Sequence, residues 1–225
     1  MNIKETTALI TVASKGIGRA TAIRLAQEGS IIVVDYNSDK DLANEVVIEC
    51  NKYTSGNIAV QADVTNDHQV KEMFNKVKVT FGHLDILVNN AGIFDETDNP
   101  RNLQAFENIF QHNFLGHVRV TNEALDIMKK GKIVNVSSIH GQLGIGNGEV
   151  IAYASLKAAI NSYTKNLAKE LAPDILVNAV APGRTMTTMW SGMTKEEEKK
   201  WGETQLINRF IIPDEVADAI RHVPE

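Results

Sequence analysis

Six short runs rich in valine and isoleucine recur along this chain, each followed by a longer stretch in which apolar residues fall at helical spacing. The runs are 8–12, 31–36, 57–62, 84–89, 132–137 and 175–180. They show little polar alternation, as expected of strands covered on both faces. The stretches between them predict helices over 17–27, 40–51, 67–81, 103–129, 152–171 and 215–222. Parallel strands cannot be joined by tight turns, so strand–helix repetition argues for an α/β fold. The expected form is a Rossmann-type, doubly wound parallel sheet with helices on both faces. Residues 1–225 read as one domain of this kind, and 225 residues with 43% hydrophobic content can build its core.

The formal net charge is −5 and no long basic run is present, which argues against nucleic acid and anionic membranes as partners. Cys50 is the single cysteine, so neither a disulfide framework nor a thiolate metal site can be built, and no metal is expected. A reducing, cytoplasmic setting is the expectation. The first ten residues, MNIKETTALI, lack the apolar core of a signal peptide, and no apolar run has the length of a membrane span.

In open parallel sheets ligands bind beyond the carboxyl ends of the strands, so the residues following each strand carry the functional reading. After the first comes TVASKGIG, a small-residue turn opening a helix. Gly16 and Gly18 would let backbone approach a pyrophosphate at the positive helix end, with Ser14, Lys15 and Ile17 beside it. After the second strand, Asp35 would hold ribose hydroxyls and repel an additional phosphate, whereas Lys15, Asn37 and Ser38 would favour one. Asp63 and Val64 follow the third strand and would cap an adenine. Asn89-Asn90-Ala91-Gly92 follows the fourth. Asn113 interrupts a predicted helix, where its side chain competes with the backbone and marks a bend. Ser138 follows the fifth strand, and Pro182 and Gly183 follow the sixth.

Tyr153 and Lys157 stand four residues apart in a predicted helix and so share a face. A unit charge at about 4 Å is worth about 4 kcal/mol at an effective dielectric of about 20. That could lower the phenol by roughly three pKa units, toward neutrality. A phenol so tuned is a general acid or base at neutral pH. Ser138 supplies a neutral hydroxyl for a carbonyl or alcohol oxygen.

Taken together, TVASKGIG, Asp63-Val64, NNAG, Asn113, Ser138, YASLK and APG, in this order, resemble the short-chain dehydrogenase/reductase family. The segments ALITVASKGIGRA and INRFIIPDEVADAI are similar to its 3-oxoacyl-acyl-carrier-protein reductase-like branch. The resemblance implies an oxidoreductase passing hydride between a nicotinamide and a ketone/secondary-alcohol pair, with a 3-oxoacyl thioester as the analogous substrate. It implies Tyr153 as acid/base and Ser138 as the residue orienting substrate oxygen. Lys157 would depress the phenol and hold the nicotinamide ribose, and Asn113 would anchor a relay water. Cofactor contacts would come from Ser14, Lys15, Gly16, Ile17, Gly18, Asp35, Asn37, Asp63, Val64, Asn90, Gly92, Tyr153, Lys157, Pro182 and Gly183. Within the family the selective acid usually stands at the position of Tyr36, so the balance tips to NADP over NAD. Homodimers or homotetramers paired through the two long helices are also implied.

Two departures stand out. The family turn begins Thr-Gly, whereas this one begins Thr11-Val12, and a β-branched residue at positive φ costs about 1–3 kcal/mol. The family also continues into a seventh strand, and the sequence stops at Glu225, so the expectation is either a truncated chain or a sheet lacking that last strand. These features motivate a competing reading, a non-catalytic scaffold or sensor with weakened cofactor binding. Residues 184–205 break the strand–helix rhythm and read as a substrate-side helical flap with its charges facing water. His140, in a glycine-rich loop before Tyr153, could face substrate.

Overall fold

The computed structural model of the chain describes residues 3–144 and 150–222. Part of the glycine-rich loop before Tyr153 and the last three residues, where the expected early end of the sheet was read, lie outside that range. Among the described residues six strands form one parallel sheet in the order β3-β2-β1-β4-β5-β6. They are β1 (Thr7–Ile10), β2 (Ile31–Tyr36), β3 (Ile58–Gln61), β4 (Ile86–Asn89), β5 (Gly131–Val136) and β6 (Ile175–Val180). This is the doubly wound order, with its switch point between β1 and β4, where chain connections leave toward opposite edges. All six predicted strands are present, within a few residues of their expected ends.

Period-two alternation in β1 splits the core. Ala8 and Ile10 face one side with Val34, Leu25, Val46 and Ile220, while Leu9 faces the other with Val33, Leu87, Ile133 and Phe74. The first side is covered by α1 (Gly16–Gln27), α2 (Lys40–Cys50) and a late helix, α8 (Pro213–Arg221). Proline at its first turn starts α8, and ion pairs Arg24–Asp218 (2.7 Å) and Arg221–Glu28 (2.8 Å) hold it to α1. The second side is covered by α3 (Asp67–Phe81), α5 (Gly116–Leu125) and α6 (Ile151–Leu171). Asn66 caps α3 and left-handed Gly82 ends it.

The helix predicted over 103–129 is not continuous. It comprises α4 (Leu103–Phe110), a π turn at Gln111–Leu115 and α5. Asn113 lies at the centre of the π turn, so the side chain that marked a bend does coincide with a break in the i to i−4 ladder. The flap contains a single 3-10 turn at Thr188–Trp190 and a short helix, α7 (Lys195–Gly202). Thr194 and Glu197 form a capping box at its start, and its charges face solvent.

Candidate active site

The carboxyl ends of the strands border a cleft with two lobes. An inner lobe of about 210 Å³ lies between Gly16, Asn90, Ser138, Tyr153, Lys157 and flap residues 187–190. An outer lobe of about 250 Å³ lies between Ser14, Asn37, Asp63, Val64 and Gly92. Val12, Lys15 and Gly92 line both, so the lobes adjoin across the turn after β1. Of the residues expected at a cofactor, Ile17 and Pro182 also border the inner lobe. Gly183 supports from behind, where a Cβ would stand 2.9 Å from Gln205 Oε1.

This cleft fits a dinucleotide. The first turn of α1 has no side-chain cap and no acidic residue, which leaves its amides for an anion. A Cβ on Gly18 would meet Val12 O at 2.4 Å and Asn90 Nδ2 at 2.8 Å, so only glycine permits this packing. Asn90 Nδ2 donates to Thr11 O at 2.9 Å, and Thr11 Oγ1 accepts the amides of Asn90 (2.9 Å) and Ala91 (2.8 Å). These bonds lock the turns after β1 and β4 together. Lys15 Nζ is paired with Asp39 at 2.8 Å at the rim of the outer lobe. Asp63 Oδ1 is occupied by the Thr65 amide and hydroxyl, both at 2.8 Å.

Val12 sits at φ +51°, the left-handed conformation expected to be costly for a β-branched residue. Asp35 departs from its expected role. It does not line the cleft but is fully buried beneath the turn, with Oδ2 accepting the Val12 amide at 3.1 Å and Oδ1 unpartnered. Burial pushes its carboxyl up to about 7, only partly opposed by backbone donors. The residue at this register points under the turn, while Asn37, beyond the strand end, lines the outer lobe.

At the inner lobe Tyr153 and Lys157 do share one face of α6. The phenol is hydrogen-bonded to the Ser138 side chain. The Tyr153 ring packs edge-on against Phe94 and His140, each 6.0 Å away between centroids. Lys157 Nζ is 5.7 Å from the Tyr153 ring centroid and donates to Val136 O at 2.8 Å. The expected fall of the phenol toward neutrality is not what the structure holds. Burial raises Tyr153 above its ordinary value, and only the Ser138 bond works the other way. The ammonium is committed to a backbone carbonyl, and its own burial brings it down to about 8.

Asn113 is fully buried. Its Oδ1 accepts the Ile93 amide at 2.7 Å and its Nδ2 donates to Ile93 O at 2.9 Å. Its side chain is therefore spent on clamping the segment after β4. A Cβ on Gly92 would stand 3.5 Å from Asn113 Oδ1 and 3.6 Å from Lys157 Nζ, so these residues do converge.

Two supporting residues were missed by sequence reasoning. Asp98, 2% exposed, reaches across from the segment before α4, and its carboxylate accepts the amides of Ala152 and Tyr153, both at 3.0 Å. It caps the helix that carries the phenol, and a lone Asp 54 residues away gives no local signal of that. His117 is fully buried with Nε2 bonded to Ala91 O at 2.8 Å, and burial together with the Lys157 charge pushes it down to about 3. Among the described residues no group of His, Cys, Asp or Glu is placed to hold a metal, and no helix is long and apolar enough to cross a membrane.

Comparisons agree with this geometry. A family model described as short chain dehydrogenase matches residues 6–198. The chain is 36% identical over 220 residues to the 3-oxoacyl-(acyl-carrier-protein) reductase FabG of Aquifex aeolicus, covering 94% of this chain and 87% of that protein. It is 36% identical over 219 residues to the 3-oxoacyl-(acyl-carrier-protein) reductase of Synechocystis, covering 95% and 87%. A doubly substituted short-chain dehydrogenase/reductase from Serratia marcescens superposes with a TM-score of 0.89 at 27% identity, covering 99% of this chain and 91% of that one. A dehydrogenase/reductase from Sinorhizobium meliloti superposes with a TM-score of 0.89 at 29% identity, covering 97% and 88%. With most of its length matched in sequence and nearly all of it in shape, the chain belongs to the short-chain dehydrogenase/reductase family of oxidoreductases, in its 3-oxoacyl-acyl-carrier-protein reductase-like branch.

Proposed function

We propose that this enzyme interconverts a ketone and a secondary alcohol with NADP(H), and that a 3-oxoacyl thioester, the substrate class named for its relatives, is turned over here. One observation carries the reading: a Ser138–Tyr153 hydroxyl pair shares a cleft with the uncapped start of α1. A nicotinamide bound there would supply or take up the hydride. In the reducing direction Tyr153, which burial keeps protonated, gives its phenolic proton to the carbonyl oxygen. Ser138 holds the same oxygen by a hydrogen bond. The Lys157 ammonium, beside the ring, stabilises the phenolate that remains. Asn113 keeps the segment after β4 in place and needs no direct contact with substrate.

The choice of NADP rests on Lys15, which would exchange Asp39 for the additional phosphate at the outer lobe, and on the removal of Asp35 from that lobe. Assembly into dimers or tetramers is supported by the exposed apolar side chains of Leu103 and Phe106 on α4. The buried lone thiol of Cys50 suits a cytoplasmic setting.

Tyr153→Phe tests the assignment. Turnover of acetoacetyl thioester should fall by roughly a hundredfold or more, while NADPH still perturbs intrinsic tryptophan fluorescence. Full activity in the variant would overturn the role of Tyr153. A higher kcat/KM with NADH than with NADPH would overturn the cofactor choice.

A further inference from the structure

The flap carries a cation beside the inner lobe, against Trp190, one of the residues that line it. Arg184 follows Gly183 and is half-buried, with its guanidinium carbon 4.3 Å from the Trp201 ring centroid and 5.7 Å from that of Trp190. Trp190 itself borders the inner lobe. No carboxylate pairs with Arg184 among the described residues. Its charge reaches His140, and together with burial it keeps that imidazole below its ordinary value. The His140 ring is 6.0 Å from Tyr153, and its Nδ1 is buried without a hydrogen-bond partner. The inner lobe is lined by two lysines, Lys15 and Lys157, and by no acidic residue.

A half-buried guanidinium that packs on the Trp201 indole and pairs with no carboxylate among the described residues can offer its N–H edges to planar oxygen anions. We propose that Arg184 determines specificity by binding an anionic oxygen group carried by the substrate, with His140 as a second polar contact on the same side. The inference rests on the oxidoreductase reading and adds the charge of the molecule reduced. The shared chemistry is an oxyanion, and it could be the carboxylate of a free oxo acid or the phosphate of a thioester's carrier arm.

Two matched pairs separate these sources. Acetoacetate is compared with methyl acetoacetate, and acetoacetyl-phosphopantetheine with the uncharged acetoacetyl-N-acetylcysteamine, all with NADPH. The charged member of at least one pair should have a kcat/KM roughly tenfold higher, mostly through KM. The pair that shows the preference identifies the anion. In Arg184→Gln that preference should collapse toward unity, and Arg184→Lys should restore part of it. A flap that merely lost packing would slow charged and uncharged substrates alike, so the ratio isolates the charge. Both tryptophans touch Arg184, so the charged ligand alone should also shift their emission in the wild type and not in Arg184→Gln.

Equal kcat/KM within both pairs, or a preference that survives Arg184→Gln, would overturn the proposal while leaving the oxidoreductase reading intact. No turnover of any of the four, with no response to NADPH, would overturn both.

Discussion

Lys157 Nζ donates to the backbone carbonyl of Val136 at 2.8 Å, not to the phenol one helical turn away. The ammonium is thus fixed by the end of β5 and held beside the Tyr153 ring. Burial brings Lys157 down to about 8 from 10.5, so the folded state carries a penalty for its charge below pH 8 that disappears above about pH 10.5. At about 1.36 kcal/mol per unit this net penalty is roughly 3 kcal/mol. Lys157→Met should therefore unfold at higher urea than wild type at pH 7 while losing at least a hundredfold in turnover. A variant that is both less stable and still active would refute this account.

Asp98 should matter to both stability and catalysis. Its carboxylate satisfies two amides at the start of α6, one of them that of Tyr153. Asp98→Ala is expected to cost about 1–2 kcal/mol in chemical unfolding, the range of a lost helix cap. Because the phenol rides on that turn, kcat should fall about tenfold or more even where the protein remains folded. Unchanged kcat with lowered stability would confine Asp98 to a structural role.

Val12 bears a conformational cost at the mouth of both lobes. Val12→Gly removes about 1–2 kcal/mol of left-handed strain but adds about 0.5–1 kcal/mol of unfolded-chain entropy and loses some packing. Stability should stay within about 1 kcal/mol of wild type. Cofactor affinity should rise several-fold, because the methyl groups leave the shared wall of the cleft. Fluorescence titration with NADPH measures it, and weaker binding by the glycine variant would contradict the argument.

Two buried groups give opposing acid responses. Asp35 is raised to about 7 in the folded protein, so it keeps a proton that the unfolded chain releases above about pH 4. Its contribution falls as pH rises from 4 to 7, by roughly 4 kcal/mol at about 1.36 kcal/mol per unit. His117 is lowered to about 3, so the unfolded chain gains a proton below pH 6.5 that the folded one refuses. Its contribution falls as pH drops from 6.5 toward 3. Between pH 4 and 6.5 the two slopes oppose each other. Asp35→Asn should be more stable than wild type at pH 7.5 and lose stability more steeply on acidification. Urea unfolding at pH 4.5, 6 and 7.5 checks this, and parallel curves would rule it out.

The sheet was legible because β-branched runs such as IIVVDY can hardly be anything but strands buried on both faces, and ILVNAV shows the same composition although, as the edge strand, it is buried on only part of its surface. The turn chemistry was legible because Gly16 adopts positive φ and Gly18 sits where backbone must come close. What escaped depends on contacts distant in sequence. Apolar periodicity runs through 103–125 without interruption, so the π turn is visible only through Asn113. Asp35 was misplaced because a strand-end acid looks the same in sequence whether it points into the cleft or under the turn. The Tyr153 environment was misjudged because spacing gives proximity to Lys157 but not the competing Val136 carbonyl, nor the burial against Phe94 and His140.

The π turn at Gln111–Leu115 holds one residue more than a regular helix needs over the same rise. Deleting one residue there would let α4 and α5 merge into a straight rod. That repair would rotate whatever follows by about 100° relative to what precedes. Either Asn113 would leave Ile93 or His117 would leave Ala91, since both grips need the present phase. The irregularity thus acts as a phase adjuster, letting one helical span meet the catalytic cleft at two points that an ideal helix could not reach together.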